Sequence, residues 1–364
     1  MSETTHLAAL LHGAKDVRLE QVPTAAPLPH QVQIRPRATG ICGTDMHYYS
    51  AGKNGMFVVK NPLVLGHEAA GEVVAVGSDV KALKVGDRVA IEPQRPCSEC
   101  KQCTTGLYNL CSNMKFSGSA SADPPVQGSL QELYCHAAEY AHPLPDSVSW
   151  TEGAIVEPLA VAVHAVKRSG LQADNSVLVL GAGAIGLLCA AVARSKGVKN
   201  IEMVDVDPAR LEFAKAQGLA DTIFNIPLRP NEGEEKVDFC MRMAKDIISQ
   251  NKERLFETII ECTGVETCVN IGIHAAAPRG RVVLVGMGSP MQSIRVGSAA
   301  VREVDLISVW RYASTFGTAI DLIASGKVAV KPLVTHVFQL KQAAEALDVV
   351  VAKPADLIKC VIVS

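Results

Sequence analysis

Four cysteines crowd into fifteen residues, in the pattern Cys97-x2-Cys100-x2-Cys103-x7-Cys111. Four thiolates so spaced can complete a tetrahedral zinc shell, and a shell filled entirely by protein makes a structural metal rather than a catalytic one. Iron–sulfur clusters use similar spacings, but nothing beside these cysteines calls for electron transfer. A second group of possible ligands is more scattered: Cys42, with Thr44 and His47 close behind it, and the pair His67 and Glu68. A thiolate, an imidazole and a carboxylate on one zinc would leave the fourth position open to water or an alcohol oxygen. Taken one at a time, Cys42 also reads as a small buried hydrophobe, His67 as a hydrogen-bonded core histidine and Glu68 as an ion-pair partner.

A third cluster suits a nucleotide. The apolar run 177–180 enters Gly181-Ala182-Gly183-Ala184-Ile185-Gly186, and Asp205 follows Gly186 by nineteen residues. Gly181 permits a tight turn, Gly183 lets a pyrophosphate approach the backbone, and Gly186, beside Ile185, lets the following helix pack close to its strand. The helix N-terminus adds N–H donors and partial positive charge for the phosphates. Asp205 would accept hydrogen bonds from the ribose hydroxyls and repel a 2′-phosphate, which selects NAD over NADP. Arg210 either covers the adenine or is a solvated helix-face charge.

These residues need two kinds of scaffold. Up to about residue 150 the chain shows short strand-like runs, 32–35, 69–76 and 88–91, separated by glycine and proline, which predicts a β-rich domain. Beyond 154, apolar strands at 177–180, 201–206, 258–262, 282–285 and 306–309 alternate with helical stretches to 195, from 208 and over 269–277. That alternation predicts a parallel sheet covered by helices. A β-like run at 334–340 and a last strand at 358–363 follow, and the serine- and proline-rich stretch 117–128 reads as a flexible surface loop.

With 364 residues, two domains are expected. The formal charge of −2 gives no reason to expect nucleic acid or an anionic membrane as partner. Residues 1–14 lack a basic segment followed by an apolar one, and no apolar run is long enough to span a bilayer, so a cytoplasmic location is expected. In a reducing compartment, eleven cysteines with four of them clustered point to metal more than to disulfides.

Further segments share this order: G-I-C-G-T-D-M-H at 40–47, P-L-V-L-G-H-E-A-A-G at 62–71, G-D-R-V at 86–89, E-P-L at 157–159, W-R-Y at 310–312 and K-P-L-V-T-H at 331–336. In order and spacing, over essentially the whole chain, they resemble the zinc-containing polyol branch of the medium-chain dehydrogenase/reductase superfamily. That branch includes the sorbitol and xylitol dehydrogenases, with arabinitol and galactitol dehydrogenases as close variants. The resemblance implies an α/β protein: a GroES-like β-rich catalytic domain over 1–158 and 309–364, with a structural zinc lobe at 97–111, and a doubly wound Rossmann NAD domain over 159–308. It implies two zinc ions per chain, NAD as acceptor, a small polyol or ketose as substrate, and a homotetramer.

Residue by residue, the resemblance makes Cys42, His67 and Glu68 ligands of the catalytic zinc, and Glu157 a further ligand or the holder of its water. Simple alcohol dehydrogenases often place a second cysteine there; Glu157 instead matches the polyol branch. Thr44 and His47 match a hydroxyl-to-histidine proton path. Tyr48, Arg311 and Tyr312 match positions that contact the polyol chain and the cofactor, although both tyrosines also fit as core aromatics and Arg311 as a structural ion-pair partner. Two features depart from the branch: the segment 117–123 is longer, and Thr44 stands where serine is common. Threonine and butanediol dehydrogenases share the zinc ligands and form the nearest alternative. A catalytically inactive zinc- and dinucleotide-binding sensor is the alternative from another class, and it predicts a broken ligand or proton-path set, whereas all these residues are present.

Overall fold

The computed structural model describes residues 4–364; Met1–Glu3, the start of the stretch read as free of a signal segment, lie outside them. The chain forms two compact units. One runs to Pro158 and resumes at Ala313–Ser364, and the other is Leu159–Tyr312. Arg311 and Tyr312 therefore fall with the second unit, whereas the sequence reading returned the chain to the first at 309. The reason is local: the Val309 N–H still bonds the Leu284 carbonyl at 3.0 Å, which carries the last ladder of the second unit beyond its strand Asp305–Ser308.

The first unit is built on a seven-stranded sheet. Its order is Ala141–Pro143, Arg88–Ile91, Glu68–Val76, Gln31–Gly40, Lys359–Val363 and Val334–Gln339, and Tyr134–Ala137 also pairs with Gln31–Gly40. Alternate residues Val32 and Ile34 face a core with Val73, Val89 and Ile91, as the period-two rule requires. Register matters most at the end of Gln31–Gly40, where Gly40 pairs with Glu68 on one side and Val361 on the other. That pairing brings the Cys42 turn, Glu68 and the last strand to one spot.

The second unit is a six-stranded, all-parallel sheet in the order Thr222–Asn225, Asn200–Asp205, Ser176–Leu180, Phe256–Glu261, Ala276–Leu284 and Asp305–Ser308. Its central strands are apolar on both faces because helices cover both. The order reverses direction at Ser176–Leu180, the kind of switch point where a cofactor crevice opens. Among the elements without a sequence expectation are the edge strand Thr222–Asn225 and the helix Lys236–Gln250. The strand is four residues long and only half-buried, so it leaves no apolar run. The helix was legible: Phe239, Cys240, Met243, Ala244 and Ile247 recur at helical spacing and pack into the core with Phe256 and Ile259.

The 117–128 segment, expected as a flexible surface loop, lies at the surface only in its middle, where 120–127 are half-buried or exposed. Its ends are buried: Ser117 and Ser119 are within the interior, and Gly128, Ser129 and Leu130 donate backbone hydrogen bonds to Val64, Gly66 and Leu65 at 2.7–3.0 Å. No helix of the described residues is long and apolar enough to cross a membrane.

Candidate functional site

The four lobe cysteines meet around the short helix Lys101–Thr104. Their sulfurs lie within 4.8 Å of one another, with Cys100–Cys103 at 3.4 Å, Cys97–Cys111 at 3.6 Å and Cys97–Cys103 at 3.9 Å. Zinc–sulfur bonds of about 2.3 Å put tetrahedral ligands about 3.8 Å apart, whereas a disulfide needs about 2.05 Å. All eleven cysteines are free thiols. Backbone N–H groups of Glu99 and Cys100 point at the Cys97 sulfur and lower its pKa to about 7, while desolvation pushes Cys103 up to about 12. The donor set fits zinc and offers no open position.

In the second set His67 and Glu68 are buried and Cys42 is half-buried. Cys42 caps the helix Gly43–Ala51, and Cys42, His67 and Glu68 hold their ligand atoms within 4.8 Å of one another. Sulfur, nitrogen and oxygen at that separation fit zinc, with a fourth position left over. His67 and Glu68 lie at the start of the strand Glu68–Val76, and the Phe116 ring lies against His67 with centroids 5.3 Å apart.

Asp45 and Lys359 were not singled out in the sequence, and they organise this set. The fully buried Asp45 carboxylate accepts the Cys42 N–H at 2.9 Å and the Gly66 N–H at 3.2 Å, and it lies 3.5 Å from His67 Nδ1. It therefore ties the turns that carry both ligands and backs the imidazole, the usual office of a carboxylate behind a metal-binding histidine. Burial opposes its charge, but His67 and the Cys42 and Gly66 N–H groups outweigh this and hold its pKa below the usual value. The pattern C-x-x-D, an N-cap residue with an acid three on, was the available signal.

Lys359, on the last strand, buries its ammonium between the Glu68 carboxylate and the Ile41 carbonyl, the latter at 2.9 Å. Burial works against its charge, but Glu68, Cys42 and Glu157 raise its pKa. Gly40 makes room for this pair, since a Cβ there would strike the Glu68 carboxylate and come within 3.1 Å of Lys359 Cε. No local pattern marks Lys359; only the sheet register places it.

Glu157, on the helix Val156–Ser169, is buried and near enough to act on Lys359, but it is not among the three that share ligand distance. Thr44 and His47 lie one turn apart on the helix Gly43–Ala51, Thr44 half-buried and His47 exposed. Of the two readings of Tyr48, substrate contact and core aromatic, its burial favours the second. It is fully buried, and its hydroxyl is shared between Ser119 Oγ at 3.0 Å and the Ala120 N–H at 3.1 Å, so it anchors the 117–128 segment. Tyr312 is likewise fully buried, and the Arg311 guanidinium stacks 5.0 Å over the Trp310 ring.

In the second unit Gly181 adopts φ +104, which only glycine takes readily, and Gly183 caps the helix Ala184–Ser195 with its N–H groups unfilled by any side chain. A Cβ on Gly186 would land on the Gly181 carbonyl oxygen. Ile185 sits half-buried in the first turn of that helix. Asp205 reaches back to accept the Ala182 N–H at 2.6 Å and the Asp207 N–H at 2.9 Å, which fixes its carboxylate at the end of the turn. Arg210 pairs with Asp207 at 3.5 Å, and its guanidinium lies 4.0 Å from where a Gly183 Cβ would be.

A closed thiolate set, an open mixed-ligand set and a glycine turn ending at an acid define a zinc-dependent, dinucleotide-using oxidoreductase. Residues 28–146 match the alcohol dehydrogenase GroES-like domain and residues 184–325 the zinc-binding dehydrogenase domain. The chain is 44% identical to sorbitol dehydrogenase of Bos taurus over 344 residues, 94% of this chain and 92% of that one. Its structure is similar to that of L-idonate 5-dehydrogenase from Escherichia coli (29% identity, TM-score 0.87, 100% and 99% of the two chains covered) and to that of 2R,3R-butanediol dehydrogenase from Bacillus subtilis (29%, 0.85, 99% and 99%). This chain belongs to the zinc-binding alcohol dehydrogenase family.

Proposed function

We propose that the chain oxidises a secondary hydroxyl of a polyol, of the sorbitol, xylitol, arabinitol or galactitol type, to the ketose and passes the hydride to NAD. The observation that carries this reading is the open Cys42, His67 and Glu68 set in a chain so similar to a sorbitol dehydrogenase. Zinc held there supplies the charge that makes a nearby hydroxyl acidic. Thr44 receives the hydroxyl proton and passes its own to His47, whose exposed ring delivers it to solvent. NAD would supply the hydride acceptor, its phosphates held by the N-terminus of the Ala184–Ser195 helix and its adenosine ribose by Asp205. The fixed Asp205 carboxylate supports NAD over NADP.

Glu157 would be a further ligand of the metal or would hold its water, and Arg311 would donate to hydroxyls remote from the reacting carbon. A second zinc in the thiolate lobe, a cytoplasmic location and a homotetramer complete the proposal. The butanediol relative supports a diol dehydrogenase as the second reading. A steady-state panel of four- to six-carbon polyols, 2,3-butanediol and threonine, each with NAD and NADP, decides between them. Polyols with NAD should give the highest kcat/KM; faster turnover of butanediol or threonine would overturn the polyol assignment.

A further inference from the structure

We propose that Lys359 is a positioning residue that shares Glu68 with the metal, limiting how tightly this carboxylate grips zinc and so keeping the fourth coordination position open. The proposal rests on the catalytic-metal reading of the Cys42, His67 and Glu68 set. A buried ammonium in direct contact with one of three metal ligands is unusual, because burying a lysine is costly and placing a fixed cation beside a cation site weakens that site. The structure nevertheless builds the contact with care. Gly40 is open on the side where Glu68 and Lys359 meet, and the Ile41 carbonyl takes a second hydrogen bond from the ammonium at 2.9 Å. Sheet register fixes the partners, since Gly40 pairs with both Glu68 and the strand that carries Lys359.

Charge explains why the contact is tolerated. Cys42 as thiolate, Glu68, Glu157 and the buried Asp45 behind His67 bring four negative charges around one divalent ion, more than it neutralises. Lys359, in direct contact with Glu68, supplies one compensating positive charge there. It also occupies Glu68 Oε2, so one carboxylate oxygen remains for the metal. A carboxylate with both oxygens free is able to bind a divalent ion in a bidentate way, which would fill the position that a substrate hydroxyl needs. Lys359 makes Glu68 a weak, single-oxygen ligand.

The test is made on the full-length zinc-loaded protein. Lys359→Met should slow chelator-driven loss of the removable zinc at least about tenfold, by freeing the carboxylate and removing a nearby like charge. It should also lower kcat. With cobalt in that site, the visible bands of the variant should weaken relative to wild type, the signature of added coordination. Lys359→Arg should behave nearly as wild type. Combining Lys359→Met with Glu68→Gln removes both charges of the pair, which guards against misfolding from an unpaired carboxylate, and should abolish the gain in zinc retention. Zinc lost from Lys359→Met at the wild-type rate or faster, unchanged cobalt bands, or a retention gain that survives Glu68→Gln would overturn the proposal. Absence of a removable zinc in wild type would instead overturn the catalytic-metal reading beneath it.

Discussion

The two ligand sets are held together in opposite ways. In the thiolate lobe there is little else to do the holding: none of Lys101–Thr104 is buried, and Leu107 and Leu110 are 50% and 51% exposed. Apart from the sulfurs, the lobe is fastened by the buried Asn109 and by Tyr108, whose hydroxyl donates to the buried Glu92 carboxylate at 2.8 Å and accepts the Ser314 N–H at 2.7 Å. The open set is the reverse. Cys42, His67 and Glu68 stand on a sheet end and a helix cap that Asp45 and Lys359 already bind together. Where apolar burial is missing, metal must supply the core; where the scaffold is complete, metal is free to serve chemistry.

The sharpest way to break this contrast is a pair of substitutions. Cys42→Ala should abolish turnover at every pH while leaving the thermal midpoint nearly unchanged. Cys100→Ser should lower that midpoint by several degrees and expose the lobe to protease, with activity lost only as the lobe opens. If both variants lose stability alike, the two sets do not differ in kind.

A second test asks what the open position receives. Arg311→Leu should reduce kcat/KM for a polyol at least about tenfold, since a charged donor to a substrate hydroxyl is worth about 1.5–3 kcal/mol. A short alcohol such as 2-propanol has no remote hydroxyl and should be little affected. Equal losses would move Arg311 from substrate binding to its stack on Trp310. A smaller effect is expected at the proton exit. His47→Ala should lower turnover at neutral pH by several-fold and recover toward wild type as hydroxide replaces the relay. A variant profile parallel to wild type at all pH values would remove His47 from the path.

Away from both metal sets, Glu202 provides a control in which pH acts on folding alone. It is buried on the strand Asn200–Asp205, where burial raises its pKa to about 7, partly offset by a hydrogen bond from Thr222. Its folded value lies above its unfolded one of 4.5. The fold therefore favours the protonated carboxyl, and that contribution is complete below the unfolded value and fades as pH rises through about 7. Glu202→Gln should flatten the decline in melting temperature between pH 5 and pH 8 without changing the pH profile of activity. An unaltered stability profile would contradict this.

What was legible in the sequence was local. The cysteine spacing, the glycine turn and Asp205 each lie within one turn or one strand-helix unit, so their chemistry shows in spacing alone. The strands that alternate with helices after residue 154 were legible for the same reason, except the half-buried edge strand Thr222–Asn225. Lys359 was invisible because nothing near it in sequence shares its site; only antiparallel register brings it to Glu68. Tyr48 could be read either way because it sits one residue from His47 on a helix, where successive residues face different ways. His47 is exposed and Tyr48 points into the interior. The 117–128 segment had loop composition, and its pinning to residues 64–66 by backbone hydrogen bonds leaves no trace in residue types.

The most direct test of two zinc sites of opposite character is stepwise metal removal from the native protein, following zinc per chain, activity and the folded fraction together. Two zinc ions per chain are expected. The first should leave readily under mild chelation and take all activity with it while the fold persists, and the second should resist until the lobe unfolds. A single zinc, or a first zinc whose loss leaves turnover intact, would contradict it.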